Sequence, residues 1–158
     1  MVGFREHGKV PHYLSGGEKK LVAIAGIITM KPKITALDEL TSNLDSRHQK
    51  RIEELILRSR DELGMSVVVA THDYDLAARI SDRVCIVKEG SIIAEGPPSP
   101  IFYNRVLLDS AGLEPPSVVR FYEELYLKHG QRRAPTLPLS IDDLCRVLQK
   151  DLLSAKRP

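Results

Sequence analysis

The spacing of apolar residues along the chain predicts a mixed α/β fold. Residues 34–37 and 66–71 form two short apolar runs bounded by turn residues, which is typical of buried parallel strands. Between them, apolar residues recur at helical spacing from Ser46 to Leu63, and Gly64 provides a helix stop. A strand, a helix and a strand in this order predict a right-handed βαβ unit, with the first run as a central strand.

A further helix is expected before the first of these strands. Ser15 and Glu18 have the spacing of a capping box, in which each side chain bonds the other residue's backbone amide. Residues 21–30 are apolar at nearly every position, so we expect this helix to be buried on almost all sides. The stretch is too short to span a membrane, and Lys31-Pro32 ends it.

A short helix and a hairpin are expected after the second strand. Asp73 can cap the helix. The apolar runs at 84–87 and 91–94 flank Glu89-Gly90, a sequence that suits a tight turn between antiparallel strands.

The final third of the chain is expected to be a mainly helical extension. Its last helix carries an apolar stripe that could contact a partner. We expect the first domain to occupy 1–96 and the extension 97–158. The expected helices lie at about 100–109, 115–129 and 140–155, and the stripe consists of Ile141, Leu144, Val147 and Leu148.

Composition and charge narrow the class of protein. The 158 residues are 42% hydrophobic and 28% charged, which suits a globular domain with a sizeable core. The net charge of +2 gives no reason to expect nucleic acid as a partner. The first residues lack the apolar centre of a secretory signal. Cys85 and Cys145 lack metal-binding spacing, which favours reduced thiols in a cytoplasmic protein.

The run Ser15-Gly16-Gly17 is a candidate phosphate site. The first amides of a helix have no partner within the helix and carry a partial positive charge. Two glycines allow a phosphate to approach the backbone, and the serine adds a hydroxyl group. An ordinary capped helix with a glycine turn is the alternative interpretation.

Polar side chains follow both predicted strands. Asp38 and Glu39 end the first strand, and His72 ends the second. One carboxylate can hold Mg²⁺ while the other orients an attacking water, and the imidazole can donate to a phosphate oxygen. Alternatively, the acids solvate a loop and the histidine is structural. Asp45 can simply cap the helix that follows it.

Together these residues resemble the ATPase subunit of ABC transporters. Residues 14–18 look like the family's signature motif, with glutamate in place of the usual glutamine. Residues 34–39 look like Walker B, 42–45 like the D-loop, and His72 like the switch histidine. The resemblance covers about residues 1–96 and corresponds to the C-terminal half of a cassette. It implies part of a P-loop NTPase sheet.

The resemblance also implies roles for the candidate residues. Asp38 would hold Mg²⁺, usually through water, Glu39 would polarise the attacking water, and His72 would contact the γ-phosphate of ATP. A nucleotide held by a second subunit would meet the remaining candidates, which are Ser15, Gly16, Gly17 and Glu18, with Asp45 coupling the two sites.

Three later stretches are similar to the cobalt/nickel and energy-coupling-factor type of importer ATPase. In that group a helical C-terminal region helps two ATPases to dimerise. The similarity implies membrane permease subunits and a second ATPase subunit, or a homodimer, at the cytoplasmic face of the cell membrane. The stretches are 90–102, 111–118 and 137–144.

No usable phosphate-binding P-loop precedes these motifs. Gly3 to Lys9 matches the spacing of one, but Val10 stands where a metal-binding hydroxyl is needed and Pro11 follows. The family's ATPase activity therefore depends on a Walker A segment, and a Q-loop, that these residues do not include. Three hypotheses follow: a split or truncated importer ATPase, a non-catalytic module that lends its signature motif to a complete ATPase, and a gene remnant.

Overall fold

The computed structural model describes residues 14–126 and 136–154. The chain divides into two compact units, Met1–His72 and Asp73–Pro158. None of the helices in the described ranges is long and apolar enough to cross a membrane. The elements of the first unit are α1 (Gly16–Thr29), β1 (Ile34–Asp38), α2 (Ser46–Leu63) and β2 (Ser66–Ala70).

The first unit contains the expected strand–helix–strand arrangement. Strands β1 and β2 pair in parallel, with Ile34 opposite Ser66 and Asp38 opposite Ala70. Helix α2 begins after Asp45, whose side chain caps it, and ends at Gly64, which adopts the left-handed conformation (φ 63°). These boundaries confirm the prediction, because each was marked by a local capping residue.

The expectation that α1 is buried on almost all sides is wrong. Leu21 and Ile24 are buried against the interior of the unit, whereas Val22 and Met30 are 48% and 73% exposed. Among the described residues α1 packs against α2, and a helix that packs on one neighbour buries only one stripe.

The expectation that β1 is a central strand is also not met within the described residues. There β1 pairs with β2 only, and Ile34 on β1 and Val68 on β2 are 69% and 58% exposed. The helical stripe of α2 is buried at Ile52, whereas Leu63 at its end is 45% exposed. An apolar sequence pattern indicates which surfaces can be buried. It does not show which of those surfaces are covered by another described segment.

The second unit begins with the predicted capped helix and hairpin. Asp73 accepts a hydrogen bond from the Leu76 amide at 2.8 Å. The two hairpin strands are antiparallel, and both turn residues, Glu89 and Gly90, have positive φ (49° and 76°). The elements are α3 (Tyr74–Ile80), β3 (Val84–Lys88), β4 (Ser91–Gly96), α4 (Pro98–Phe102), α5 (Arg105–Ala111), α6 (Ser117–Tyr126) and α7 (Ile141–Ser154).

The single helix expected at 100–109 is two helices. Helix α4 ends at Phe102, and α5 begins after Asn104, whose side chain accepts from the Leu107 amide at 3.1 Å. Asn104 is thus an N-cap inside the stretch that the sequence pattern predicts to be a single helix. The end of the helix expected at 115–129 falls partly outside the described residues.

Most of the apolar stripe on α7 is packed within the second unit rather than available to a partner. Leu144 is 7% exposed and shares a cluster with Tyr122 and Tyr126, whose rings stack 4.7 Å apart. Val147 and Leu148 pack against the same cluster. Only Ile141 of the stripe is strongly exposed, at 69%. The domain boundary at residue 96 stays a prediction.

Candidate functional site

The N-terminus of α1 is built as the sequence predicts. The Ser15 hydroxyl accepts from the Glu18 amide at 3.2 Å, and the Glu18 carboxylate accepts from the Ser15 amide at 2.7 Å. Both bonds of the capping box are therefore formed, so the ordinary interpretation of these two residues is correct for the local structure. It leaves the first amides of α1 at the helix end, where an anion is favoured.

The two glycines of this turn have different surroundings. A Cβ atom added at Gly16 would have nothing within 4 Å. One added at Gly17 would lie 2.8 Å from Cγ and 2.9 Å from Cδ2 of His48, closer than real Cβ atoms approach. Gly16 is therefore open on its outer side, while Gly17 is covered by a side chain of α2.

Asp45 holds the histidine that covers Gly17. One carboxylate oxygen of Asp45 accepts from the His48 backbone amide at 2.9 Å, and the other lies 2.8 Å from His48 Nδ1. The backbone hydrogen bond, followed by the side-chain bond, lowers the pKa of the Asp45 carboxyl group below its ordinary value. The predicted helix cap is confirmed, and it also ties α2 to the glycine turn.

Glu39 and His72 meet at the ends of the parallel strands. The Glu39 amide donates to the Ala70 carbonyl at 2.9 Å, which continues the strand pairing. One Glu39 carboxylate oxygen, Oε1, accepts from the His72 amide at 3.1 Å and lies 2.8 Å from His72 Nδ1. The other oxygen, Oε2, is buried and has no hydrogen-bond partner. The His72 side chain is 76% exposed, so its ring remains accessible at this edge.

Asp38 lies beside this pair in the chain, at the exposed end of β1. The described residues contain no cluster of three or more histidine, cysteine or acidic side chains that could hold a metal ion by itself. Mg²⁺ in nucleotide sites is commonly held by one or two carboxylates together with water and substrate phosphates. The exposed Asp38 carboxylate fits that arrangement as a single protein ligand.

Sequence reasoning missed Lys20, which connects α1 to the end of β1. This strand end, with Asp38 and Glu39, is called the acidic edge below. Lys20 Nζ donates to the backbone carbonyl of Glu39 and lies 3.4 Å from the Ser42 hydroxyl. Ser42 donates to the same carbonyl at 2.8 Å. Glu39 itself has a positive φ of 46°, unusual for a residue with a side chain. Lys20 follows Gly16 by four positions and so projects from the same helix face, which was the available signal.

The described contacts bring the candidate residues into two groups. Ser15 pairs with Glu18 at the helix start, where Gly17 meets the His48–Asp45 pair. Glu39 pairs with His72 at the strand ends. Lys20 joins the helix of the first group to the backbone of the second. The first unit therefore contains both the helix-start amides, which can donate hydrogen bonds to an anion, and the Glu39–His72 pair.

Comparison with known proteins identifies relatives of this chain. A scan against protein-family models finds no match. The chain is 42% identical over 152 residues to a putative ABC transporter ATP-binding protein of Methanothermobacter thermautotrophicus, with 96% of this chain and 53% of the relative aligned. It is 39% identical over 143 residues to an energy-coupling factor transporter ATP-binding protein, EcfA, of Methanosphaera stadtmanae, covering 90% and 51%.

The chain belongs to the ABC transporter ATP-binding proteins. It spans about half the length of the curated relatives that it matches. Among solved structures of this family, cbiO1 of Clostridium perfringens, part of the ABC transporter complex cbiONQ, aligns with a TM-score of 0.57 at 35% identity over 76% of this chain and 43% of that one. A dimeric bacterial ABC transporter cassette aligns with a TM-score of 0.51 at 36% identity, covering 56% and 38%.

The fold class predicted from the sequence is therefore confirmed. The strand–helix–strand unit is part of an ABC ATPase sheet, which is a P-loop NTPase fold, and the C-terminal portion is helical.

Proposed function

We propose that this chain forms part of an ATP-binding subunit that couples ATP binding and hydrolysis to solute import by an ABC-type transporter. The observation that carries the proposal is the Glu39–His72 pair, in which Oε1 is held by the histidine while Oε2 is buried without a partner. These contacts hold the Glu39 carboxylate at the end of β1, and a carboxylate positioned in this way can act as the general base that hydrolysis requires.

At this acidic edge the residues would serve a nucleotide on their own subunit. Asp38 would hold Mg²⁺, commonly through water, and Mg²⁺ would neutralise charge on the phosphates of ATP. Glu39 would polarise the attacking water. The exposed His72 ring would contact an oxygen of the γ-phosphate.

The helix start would serve a nucleotide on a second subunit. Gly16 has open space outside its backbone, so a phosphate could approach the first amides of α1 there. The signature residues Ser15, Gly16, Gly17 and Glu18 would form this contact, and Asp45 would connect it to the neighbouring site. The partner would be a second ABC ATPase subunit or a second copy of this chain.

The backbone amides and lysine that bind the phosphates of ATP beside Asp38 and Glu39 would come from a P-loop outside these 158 residues. The P-loop-like spacing at Gly3 to Lys9 lies outside the residues that the structure describes, and Val10 and Pro11 make it unsuited to binding phosphate. The P-loop would be a segment of the same protein or of another polypeptide, and permease subunits would place the assembly at the cytoplasmic face of the membrane.

The type of importer, and therefore the class of solute, is proposed from the similarity of this chain to other ATP-binding proteins alone. EcfA is an energy-coupling factor ATP-binding protein and cbiO1 is part of the complex cbiONQ. The EcfA relative supports an importer of the energy-coupling-factor type. Cobalt or nickel as the solute rests on the resemblance of residues 90–102, 111–118 and 137–144.

Reconstituted ATP hydrolysis tests the proposal. When a polypeptide supplies only the P-loop half, Glu39→Gln should reduce turnover by about 100-fold, the scale of a positioned general base. Glu54→Gln, an exposed acid on α2, is the control and should leave turnover unchanged. Equal activity of the two variants would contradict the proposed role of Glu39.

A mixture with a complete ATPase tests the alternative hypothesis, in which this chain contributes only its signature turn, residues Ser15 to Gly17, to the partner's nucleotide site. In that mixture Ser15→Ala and Gly16→Asp should lower turnover, whereas Glu39→Gln should matter far less, because its acid faces a site without a P-loop. Gly16→Asp is preferred to a change at Gly17, where any side chain meets His48 before it meets a phosphate. Loss of turnover with Glu39→Gln but not with Gly16→Asp would contradict the lending alternative.

A further inference from the structure

His48 lies between two of the family motifs. Its backbone amide and Nδ1 both contact the Asp45 carboxylate, at 2.9 and 2.8 Å, and its ring covers Gly17. An ionised carboxylate only accepts hydrogen bonds, so Nδ1 carries the proton in this pair and the ring orientation is fixed. The side chain of His48 is 17% exposed, against 64% for Asp45. The imidazole is therefore packed between motifs rather than solvated.

We propose that His48 is a positioning residue that fixes the signature turn and the D-loop of one subunit to each other. The Asp45 carboxylate holds the imidazole, and the imidazole in turn sets the position of the backbone at Gly17. This inference rests on the proposed function of Ser15–Gly17 and Asp45 at the two nucleotide sites. A change at either site is then transmitted to the other through a single ring.

The surroundings of Gly16 and Gly17 support the positioning role of His48. Gly16 has nothing within 4 Å of a built Cβ, so no described neighbour requires a glycine there. Gly17 has the His48 ring within 2.8 Å of a built Cβ, so the ring itself requires a glycine at that position. The family resemblance assigned both glycines to the phosphate, whereas the structure assigns Gly17 first to His48.

Four variants of the full chain separate the two contacts of His48. His48→Ala removes both contacts. His48→Asn keeps a donor near the position of Nδ1 and can bond Asp45, but it lacks the outer ring. His48→Phe keeps a ring beside Gly17 and has no side-chain donor for Asp45, although its backbone amide can still donate. Arg47→Ala changes an exposed neighbour in the same helical turn and is the matched control.

Hydrogen exchange tests the positioning without any nucleotide. In His48→Ala the amides of Glu18 and Lys19, which bond Ser15 in the wild type, should exchange roughly 10-fold faster, as expected for a lost contact worth about 1.4 kcal/mol. Arg47→Ala should leave them unchanged. If His48→Ala changes only the first turn of α2 and not these α1 amides, the proposal is overturned.

A double-mutant cycle tests the contact with Gly17. Gly17→Ala alone should lower the melting midpoint by roughly 4 °C, because the added methyl overpacks against the ring. In the His48→Ala background the same substitution should cost much less. An equal loss in both backgrounds would show that the ring and Gly17 do not interact, which overturns the proposal.

Turnover with a complete ATPase partner connects the contact to function. His48→Ala should reduce turnover about 10-fold, a loss typical of a displaced positioning group, and His48→Asn and His48→Phe should each recover part of it. Full recovery by His48→Phe would mean that the ring only fills space, and no recovery by His48→Asn would mean that the Asp45 bond is irrelevant. Either result overturns the proposal. If Ser15→Ala leaves turnover unchanged, the proposed function of the signature residues fails. The hydrogen-exchange measurement and the double-mutant cycle then still test the positioning role of His48.

Discussion

Replacing Lys20 with methionine removes the side chain through which α1 bonds the Glu39 backbone carbonyl. Methionine keeps most of the aliphatic length of lysine, so the stem can remain packed while the ammonium group is lost. The Glu39 carbonyl then loses its charged donor and keeps the Ser42 hydroxyl, which donates at 2.8 Å. The perturbation is therefore a lost hydrogen bond with little change of volume.

The size of the effect follows from these contacts. A hydrogen bond to a charged group contributes about 1.5–3 kcal/mol to stability, and the remaining Ser42 bond favours the low end. The second contact of Lys20, to Ser42 Oγ, is 3.4 Å long and adds little. We therefore expect the free energy of unfolding to fall by about 1.5 kcal/mol, or roughly 3–6 °C in melting midpoint for a chain of this size.

Thermal unfolding of Lys20→Met and Lys19→Met provides the assay. Lys19 is the preceding residue on α1 and is exposed, so its variant matches the change of charge and helix propensity. Lys19→Met should shift the midpoint by less than about 1 °C, as exposed substitutions usually do. Equal shifts for both variants would show that the Lys20–Glu39 bond contributes nothing, and would refute the reasoning.

Three other predictions concern binding, pH and packing. The 158-residue chain alone should show no micromolar affinity for Mg-ATP by calorimetry, because P-loop amides and their lysine normally supply most phosphate contacts; micromolar binding would contradict this. The pKa of Asp45 is lowered from 3.8, so its stabilising contribution is present above that value and is lost as pH falls through the lower folded pKa; melting midpoints of wild type and Asp45→Asn should converge there, and a constant difference would count against it. Tyr122→Ala should cost about 3–5 kcal/mol in urea unfolding, since its ring is fully buried, whereas Phe121→Ala, at a 54% exposed position, should cost far less.

Local signals in the sequence predicted local structure well. The capping box at Ser15, the caps of α2 and the Glu89-Gly90 turn each depend on residues within a few positions of one another, and all are present. The motifs indicated that Glu39 and His72 each end a predicted strand, and the hydrogen bond between their side chains follows from the register of β1 and β2.

Contacts between distant segments were harder to predict. Lys20 was one of several basic residues near the signature turn, and only the packing of α1 shows that it reaches Glu39. His48 lies in the predicted helix from Ser46 to Leu63, and nothing in its spacing shows that α2 places it over Gly17. The exposure of Val22 and Met30 likewise depends on which neighbours cover α1, and hydropathy alone cannot show this.

Under the proposed function, the capping box at the start of α1 affects the order in which a nucleotide meets its contacts. Glu18 places a carboxylate 2.7 Å from the Ser15 amide, beside the end of the helix that carries partial positive charge. The turn therefore offers hydrogen-bond donors but little net attraction for a free anion in solution. Such a turn is poorly suited to capturing ATP and well suited to closing on a nucleotide whose charge Mg²⁺ and a P-loop have already neutralised. The signature would then act as the last contact formed and the first released in each cycle.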